Sequence, residues 1–289
     1  MHLRRFLLLA LLAAFVARIV ATYHVFNETM DEPAHIRAGL EFLRTRQYNW
    51  EPQHPPLARM TLAVLPYCFA RFHLYRHLRL WMAVFRIREE PANYWVGLAV
   101  SRAGNLLFGT LILLFVWRWS RVLFGPWPAV AACAVASCSP NLIAHTALAT
   151  LDAAAAAGTV VAAFFLWRWS EHAGWRYALG AGAAFGFAVL CKFSTAAFLP
   201  PLAVIYFATA RWNRWRTWSA AQARTGLLRG AAFVVVAGTV VWAGYGFDAG
   251  PLVPPGHHYY SPFPMGDPTS AASRLTPLLG HHTLPAPRF

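Results

Sequence analysis

The sequence predicts an all-α protein: a polytopic bundle of about seven transmembrane helices with interfacial helices in its first outer loop. Three observations lead there. Of the 289 residues 58% are hydrophobic and only 12% charged, with a mean hydropathy of +0.41, values that water-soluble folds seldom reach. Apolar stretches close to the length of a bilayer crossing recur along the chain. The basic residues, 25 in number and all arginine except Lys192, flank those stretches instead of forming a stripe. A formal net charge of +14 therefore reads as headgroup contact, and nucleic-acid binding is excluded because no basic face is interleaved with aromatics.

Taken in order, the expected spans cover residues 6–23, 94–117, 128–149, 153–169, 177–191, 195–210 and 227–245. The first follows Arg4 and Arg5 and could be a signal peptide, but no small-x-small cleavage site follows it, which favours an uncleaved span. An additional run, 57–72, is short and holds Arg59 and Pro66. It reads as a helix in or dipping into the outer interface, since a crossing there would invert every later loop.

Sidedness follows from the short connections. Arg118 with Arg121, Arg168 with Arg176, and the group Arg211, Arg214, Arg216, Arg224 and Arg229 appear after every second span, which marks those ends and the N-terminus as cytoplasmic. Glu28, Asp31, Glu32, Glu41, Glu51, Glu89, Glu90, Asp152, Asp248 and Asp267 then fall on the outer side, leaving Glu171 inside. One membrane domain, 1–245, with a first outer loop at 24–93, is followed by a proline-rich extracytoplasmic tail, 246–289. Cys68, Cys133, Cys138 and Cys191 lack the close spacing of a zinc site or disulfide framework and read as small buried hydrophobes.

The sharpest local signal is Asp31-Glu32-Pro33-Ala34-His35, followed by His54-Pro55-Pro56-Leu57. Pro33 suits a helix start, with Asp31 or Glu32 at the positive end of the helix dipole. Ile36, Leu40 and Leu43 then share a face, as in a helix lying along a membrane. An acidic pair before proline is also simply a good helix start, and Pro55-Pro56 begins a helix without any chemistry. Neither explanation uses His35 or His54.

Asp152 lies in a short connection between two apolar runs, and Lys192 stands at the outer end of another. The first could be a solvated turn and the second a snorkelling lysine. Ionisable groups at membrane depth are costly, however, which makes both functional candidates, and a cation there suits a phosphate.

In this order the residues resemble the protein mannosyltransferase-like glycosyltransferases, family 39 and its bacterial relatives. The resemblance rests on Asp31-Glu32-Pro33-Ala34-His35, Gly39, Leu43, His54-Pro55-Pro56-Leu57, Ser139-Pro140, His145, Thr150-Leu151-Asp152, Gly186 and Lys192-Phe193-Ser194, and it extends from residue 6 to about 245. It implies a C-type enzyme that moves a sugar from a polyprenyl-phosphate carrier to a lipid, glycan or protein acceptor on the outer face. It further implies Asp31 as base, Asp152 as a second acid, and Glu32 as a group positioning the acceptor, or a metal where one is used.

The chemistry is consistent with that assignment. Transfer with inversion needs a carboxylate to take the acceptor's hydroxyl proton. A departing phosphate needs cations instead of a general acid, for which Lys192, Arg37 and Arg59 are candidates in falling order, with His35 and His54 as further substrate contacts. No cofactor is called for, and divalent-metal use is left open. Relatives of the family generally continue through several more spans, so the sequence reads as C-terminally shortened. A non-catalytic scaffold or assembly factor, or an inactive fragment, is the alternative; a small-solute transporter would need charged or broken helices at the membrane midplane. The arginine- and alanine-rich composition points to a multi-pass protein of a bacterial plasma (inner) membrane.

Overall fold

A computed structural model describes residues 2–47, 50, 51, 53–72, 92–210, 216–251 and 283–284. Glu89, Glu90, Asp267, Arg211, Arg214 and most of the proline-rich tail lie outside the described residues. The architecture is an all-α bundle. Its helices are α1 (His2–Thr22), α2 (Glu32–Thr45), α3 (Pro56–Arg71), α4 (Ala92–Ala103), α5 (Leu106–Phe124), α6 (Pro126–Ser137), α7 (Pro140–Ala147), α8 (Asp152–His172), α9 (Trp175–Cys191), α10 (Ser194–Ala210) and α11 (Ala220–Gly244). Two short segments, β1 (Gly250–Pro251) and β2 (Thr283–Leu284), pair antiparallel with Gly250 opposite Leu284.

Four helical segments are long and apolar enough to cross a bilayer: His2–Thr22, Trp95–Phe124, Asp152–His172 and Ala220–Gly244. α6 and α7 make a fifth if taken together, but they meet at a bend of 60°. α9 and α10 are apolar helices of 17 residues each. At 1.5 Å per residue they reach only about 25 Å, less than the roughly 30 Å hydrocarbon core. Apolar helix thus occupies all seven expected positions, while length supports four or five crossings instead of seven.

Two of the expected spans are interrupted for local chemical reasons. The 94–117 run divides at Gly104 and Asn105, where the buried Asn105 amide donates to the carbonyls of Leu148 and Thr150. The 128–149 run divides at Ser139, whose extended backbone (φ −64°, ψ 119°) is what Pro140 imposes on its predecessor. Pro140 then opens α7 at a position where its missing N–H costs nothing.

The main core joins Leu62 of α3, Phe108 and Ile112 of α5, Ala153, Ala154 and Ala157 of α8, and Cys191 of α9. Small residues set the spacing. A Cβ on Gly182 or Gly186 would come within 2.5 Å of the Phe233 carbonyl or 2.7 Å of the Ala237 carbonyl, so these glycines let α9 and α11 touch backbone to backbone. Large apolar side chains such as Phe6, Leu9, Phe198, Val204 and Val235 point outward, as lipid-facing residues do.

Charge is sorted along the helices. One end of the bundle gathers two ion pairs, Glu32 with Arg102 and Asp152 with Lys192, and Glu32 also accepts from the Ala149 N–H just before Asp152. The opposite end carries Arg118 over Phe164, Arg168 over Tyr177 and Arg229 over Trp175.

The helix at 57–72 forms as α3, 16 residues long with Pro66 inside. It is not merely laid on the surface, for Ala58, Arg59, Leu62, Ala63 and Pro66 are buried.

Candidate active site

The site is assembled at the acidic end by α2, the α2–α3 connection, the α7–α8 turn and the end of α9. α2 begins as the sequence suggests, with Asp31 at the N-cap and Pro33 in the first turn. Asp31 does not cap, however: its backbone is helical (φ −87°, ψ −25°), outside the extended conformation of a capping residue, and its side chain makes no capping bond. Its carboxylate is exposed and faces a cavity.

Glu32 takes the opposite role. It is fully buried; its Oε1 accepts from Arg102 Nε at 2.8 Å and from the Ala149 N–H at 2.7 Å, and its Oε2 accepts from Arg102 Nη2 at 2.9 Å and from the Thr29 N–H at 2.8 Å. Burial opposes its ionisation, but Arg102 and the two backbone N–H groups together hold its carboxyl below the ordinary range. Arg102 uses its remaining donors on the carbonyls of Tyr23 (2.9 Å), Phe26 (3.0 Å) and Asn27 (2.9 Å). Every N–H of that guanidinium is engaged.

Sequence reasoning missed Arg102. The signal was present, because it is an arginine inside an apolar run with acids on an adjoining loop, the situation in which an ionisable group at membrane depth needs an explanation.

α2 buries Glu32, His35, Ala38, Gly39 and Phe42, while Ile36, Leu40 and Leu43, the face expected to lie along the membrane, are half-buried. The reason is contact with α3: a Cβ on Gly39 would lie 2.2 Å from the Arg59 carbonyl, so the glycine edge is the face that can approach. This packing turns His35 and the start of α2 toward Asp152.

The cavity, about 230 Å³, is lined by Asp31, Ala34 and His35 of the α2 start, Glu51, Gln53 and His54 of the connection, Thr150, Leu151 and Asp152 of the turn, and Lys192. Lys192 Nζ donates to Asp152 Oδ1 at 2.8 Å, and His145 Nδ1 lies 3.5 Å from Asp152 Oδ2. The rings of His35 and His54 meet edge to face with centroids 5.5 Å apart. Burial, with Arg59 adding, pushes His35 down to about 3 and His54 down to about 4, so both are neutral near pH 7. Glu51 pairs with Arg59, yet burial raises its carboxyl above the usual range, with Asp31 contributing in the same direction. Sequence reasoning had counted Glu51 only among the outer acids.

Two polar atoms of lining residues, His35 Nδ1 and Thr150 Oγ1, are buried with no hydrogen-bond partner among the described residues. Unsatisfied buried groups are rare, and each calls for an explanation such as a catalytic role or a bound water or ion.

The candidate residues divide accordingly. Asp31, His35, His54, Asp152 and Lys192 come together in the cavity, whereas Glu32, Arg37 and Arg59 are not among its lining. Glu32 lies beneath it, saturated by the bonds above. Arg37 stacks on Trp50, its guanidinium carbon 3.3 Å from the ring centroid, and the buried Arg59 is turned to Glu51. Among the described residues no group of three or more His, Cys, Asp or Glu side chains is arranged to hold a metal ion. The arrangement can hold a hydroxyl at the Asp31 wall and an anionic group at the Lys192 wall, with neutral imidazoles between.

Comparison with curated proteins and with solved structures gave no match. The model of the dolichyl-phosphate-mannose-protein mannosyltransferase family matches residues 94–242, just over half of the 289 residues and a stretch that contains Arg102, Asp152 and Lys192. The chain belongs to the dolichyl-phosphate-mannose-protein mannosyltransferase family.

Proposed function

We propose that this membrane glycosyltransferase of the mannosyltransferase kind moves a sugar from a polyprenyl-phosphate carrier to an acceptor hydroxyl, with inversion, at the outer face of a bacterial inner membrane. The observation that carries the reading is the meeting of Asp31, Asp152 and Lys192 around one small polar cavity in a member of that family. Residues 1–245 act as one membrane domain with a cytoplasmic N-terminus, and the tail 246–289 lies outside.

Asp31 is the base. Its carboxylate is free of capping duty and accepts the hydroxyl proton as the acceptor oxygen attacks the anomeric carbon; the bond from that carbon to the carrier phosphate breaks, and the electron pair leaves on phosphate oxygen. Such general-base assistance is worth roughly 10²–10⁴-fold. Lys192 receives the phosphate, and Asp152 holds the ammonium in place until it does so. The unpaired His35 Nδ1 and Thr150 Oγ1 suit hydrogen bonds to sugar hydroxyls. Glu32 contributes by position: with Arg102 it ties the first loop to α4 and to the turn that carries Asp152.

The test is transfer by the purified chain in proteoliposomes supplied with radiolabelled polyprenyl-phosphate mannose and a mixture of lipid and peptide acceptors. Labelled product whose anomeric configuration is opposite to the donor's supports the reading. Absence of transfer together with stable co-purification of another membrane protein contradicts it and favours a scaffold.

A further inference from the structure

A second cavity, of about 800 Å³, lies at the other end of α8, lined among others by Trp169, Ser170, Trp218, Gln222, Thr225 and Arg229. α8 has 21 residues, so the two cavities are separated by about 30 Å, the thickness of a hydrocarbon core. Among the described residues no acid lines the second one. Arg229 Nε is buried and has no hydrogen-bond partner among the described residues, although the guanidinium lies over Trp175 at 5.8 Å. Arg216 and Arg224 add exposed positive charge nearby.

Depth identifies what fits. The apolar run of α11 begins at Leu227, so the first turns of that helix and the cavity beside them stand at headgroup level. Trp169, Trp175 and Trp218 occupy the level where tryptophan is enriched in membrane proteins. Below it, exposed Leu202, Val204 and Ile205 of α10 and Leu227 and Leu228 of α11 continue an apolar surface into the bilayer.

We propose that this cavity binds the headgroup of an anionic phospholipid, its phosphate against Arg229 and its chains along the α10–α11 face. A free phosphate would use the same guanidinium but would leave the adjoining apolar surface without a function.

The test uses the full chain, delipidated in detergent and titrated by native mass spectrometry with phosphatidylglycerol and phosphatidylcholine of identical chains. Phosphatidylglycerol binds about fivefold more tightly, the advantage expected of one cationic contact at a headgroup. R229Q brings the two lipids to parity, R229K retains most of the preference, and excess inorganic phosphate leaves it unchanged. Equal binding of the two lipids by the native chain, or an undiminished preference in R229Q, overturns the proposal, as does displacement of the lipid by inorganic phosphate. Should R229Q not fold, tryptophan quenching by brominated lipids decides: brominated phosphatidylglycerol quenches more than brominated phosphatidylcholine and the excess shrinks in W218F, whereas equal quenching overturns the proposal. None of these readouts involves sugar transfer.

Discussion

Glu32 and Arg102 meet edge to edge with both side chains fully buried, Nε to Oε1 at 2.8 Å and Nη2 to Oε2 at 2.9 Å. Through the further bonds to Ala149 and to the carbonyls of Tyr23, Phe26 and Asn27, this one pair fastens the end of α1, the start of α2, α4 and the α7–α8 turn. Removing either partner strands a buried charge. Glu32→Ala and Arg102→Ala should each destabilise the protein by about 3–5 kcal/mol, far more than an exposed pair is worth. Thermal melting in detergent measures this, with faster protease cleavage in the 28–60 region as a second readout.

Contact between α2 and α3 is set by Gly39. Gly39→Ala places a methyl 2.2 Å from the Arg59 carbonyl, a backbone atom that cannot swing aside, so α2 is pushed off α3 and melting falls by an amount equivalent to 1–3 kcal/mol, about the usual cost of overpacking. Gly97→Ala, at a helical position with nothing among the described residues within 4 Å of the new Cβ, should be neutral or stabilising by roughly 0.5–1 kcal/mol. Equal melting shifts for the two variants would contradict the packing account.

The first loop was largely legible in the sequence, for reasons that differ residue by residue. Pro33 and Pro56 mark helix starts because a missing N–H is harmless only there, and α2 and α3 begin accordingly. The buried edge of α2 was not read from the sequence: apolarity marked Ile36, Leu40 and Leu43 as the face along the membrane, whereas the close approach to α3 is made by the small edge at Ala38 and Gly39. The bend after Ser139 follows from Pro140, but a hydropathy count averages across it. Arg102 carries a local signal as an arginine inside an apolar run, but its pairing was not legible, because Glu32 stands 70 residues away in sequence and local pattern does not say which acid it meets. For the same reason the union of Asp31, Asp152 and Lys192 rested on family resemblance, while their geometry came from the fold.

Histidine protonation makes a pH prediction with a definite sign. His35 and His54 titrate at about 3 and about 4 in the folded protein, and at roughly 6.5 when unfolded. Between those values the unfolded chain takes up protons that the folded chain refuses, so their contribution is complete above about pH 6.5 and is lost as pH falls toward 4. Melting temperature should therefore fall on acidification across that window, and H35Q/H54Q should flatten the dependence. An unchanged slope in the double variant would contradict the neutral-imidazole assignment.

Lys192 and Asp152 make different predictions despite their 2.8 Å bond. If Lys192 meets the donor phosphate as proposed, Lys192→Gln should lower kcat/KM for the polyprenyl-phosphate sugar about 10²–10³-fold, the range seen when one transition-state contact is lost. Lys192→Arg should recover part of this loss. Asp152→Asn, which only loosens the ammonium, should cost less. Steady-state kinetics with varied donor checks the order; a larger defect in Asp152→Asn than in Lys192→Gln would reverse the two roles.

Asp31 carries the central claim, and its substitution is the most direct measurement because the side chain makes no capping bond that folding would miss. In Asp31→Asn we expect sugar transfer to fall by about 10²–10⁴-fold, with melting temperature and membrane insertion unchanged. Transfer within about twofold of the native rate, far outside the range a general base supplies, would show that another group takes the proton.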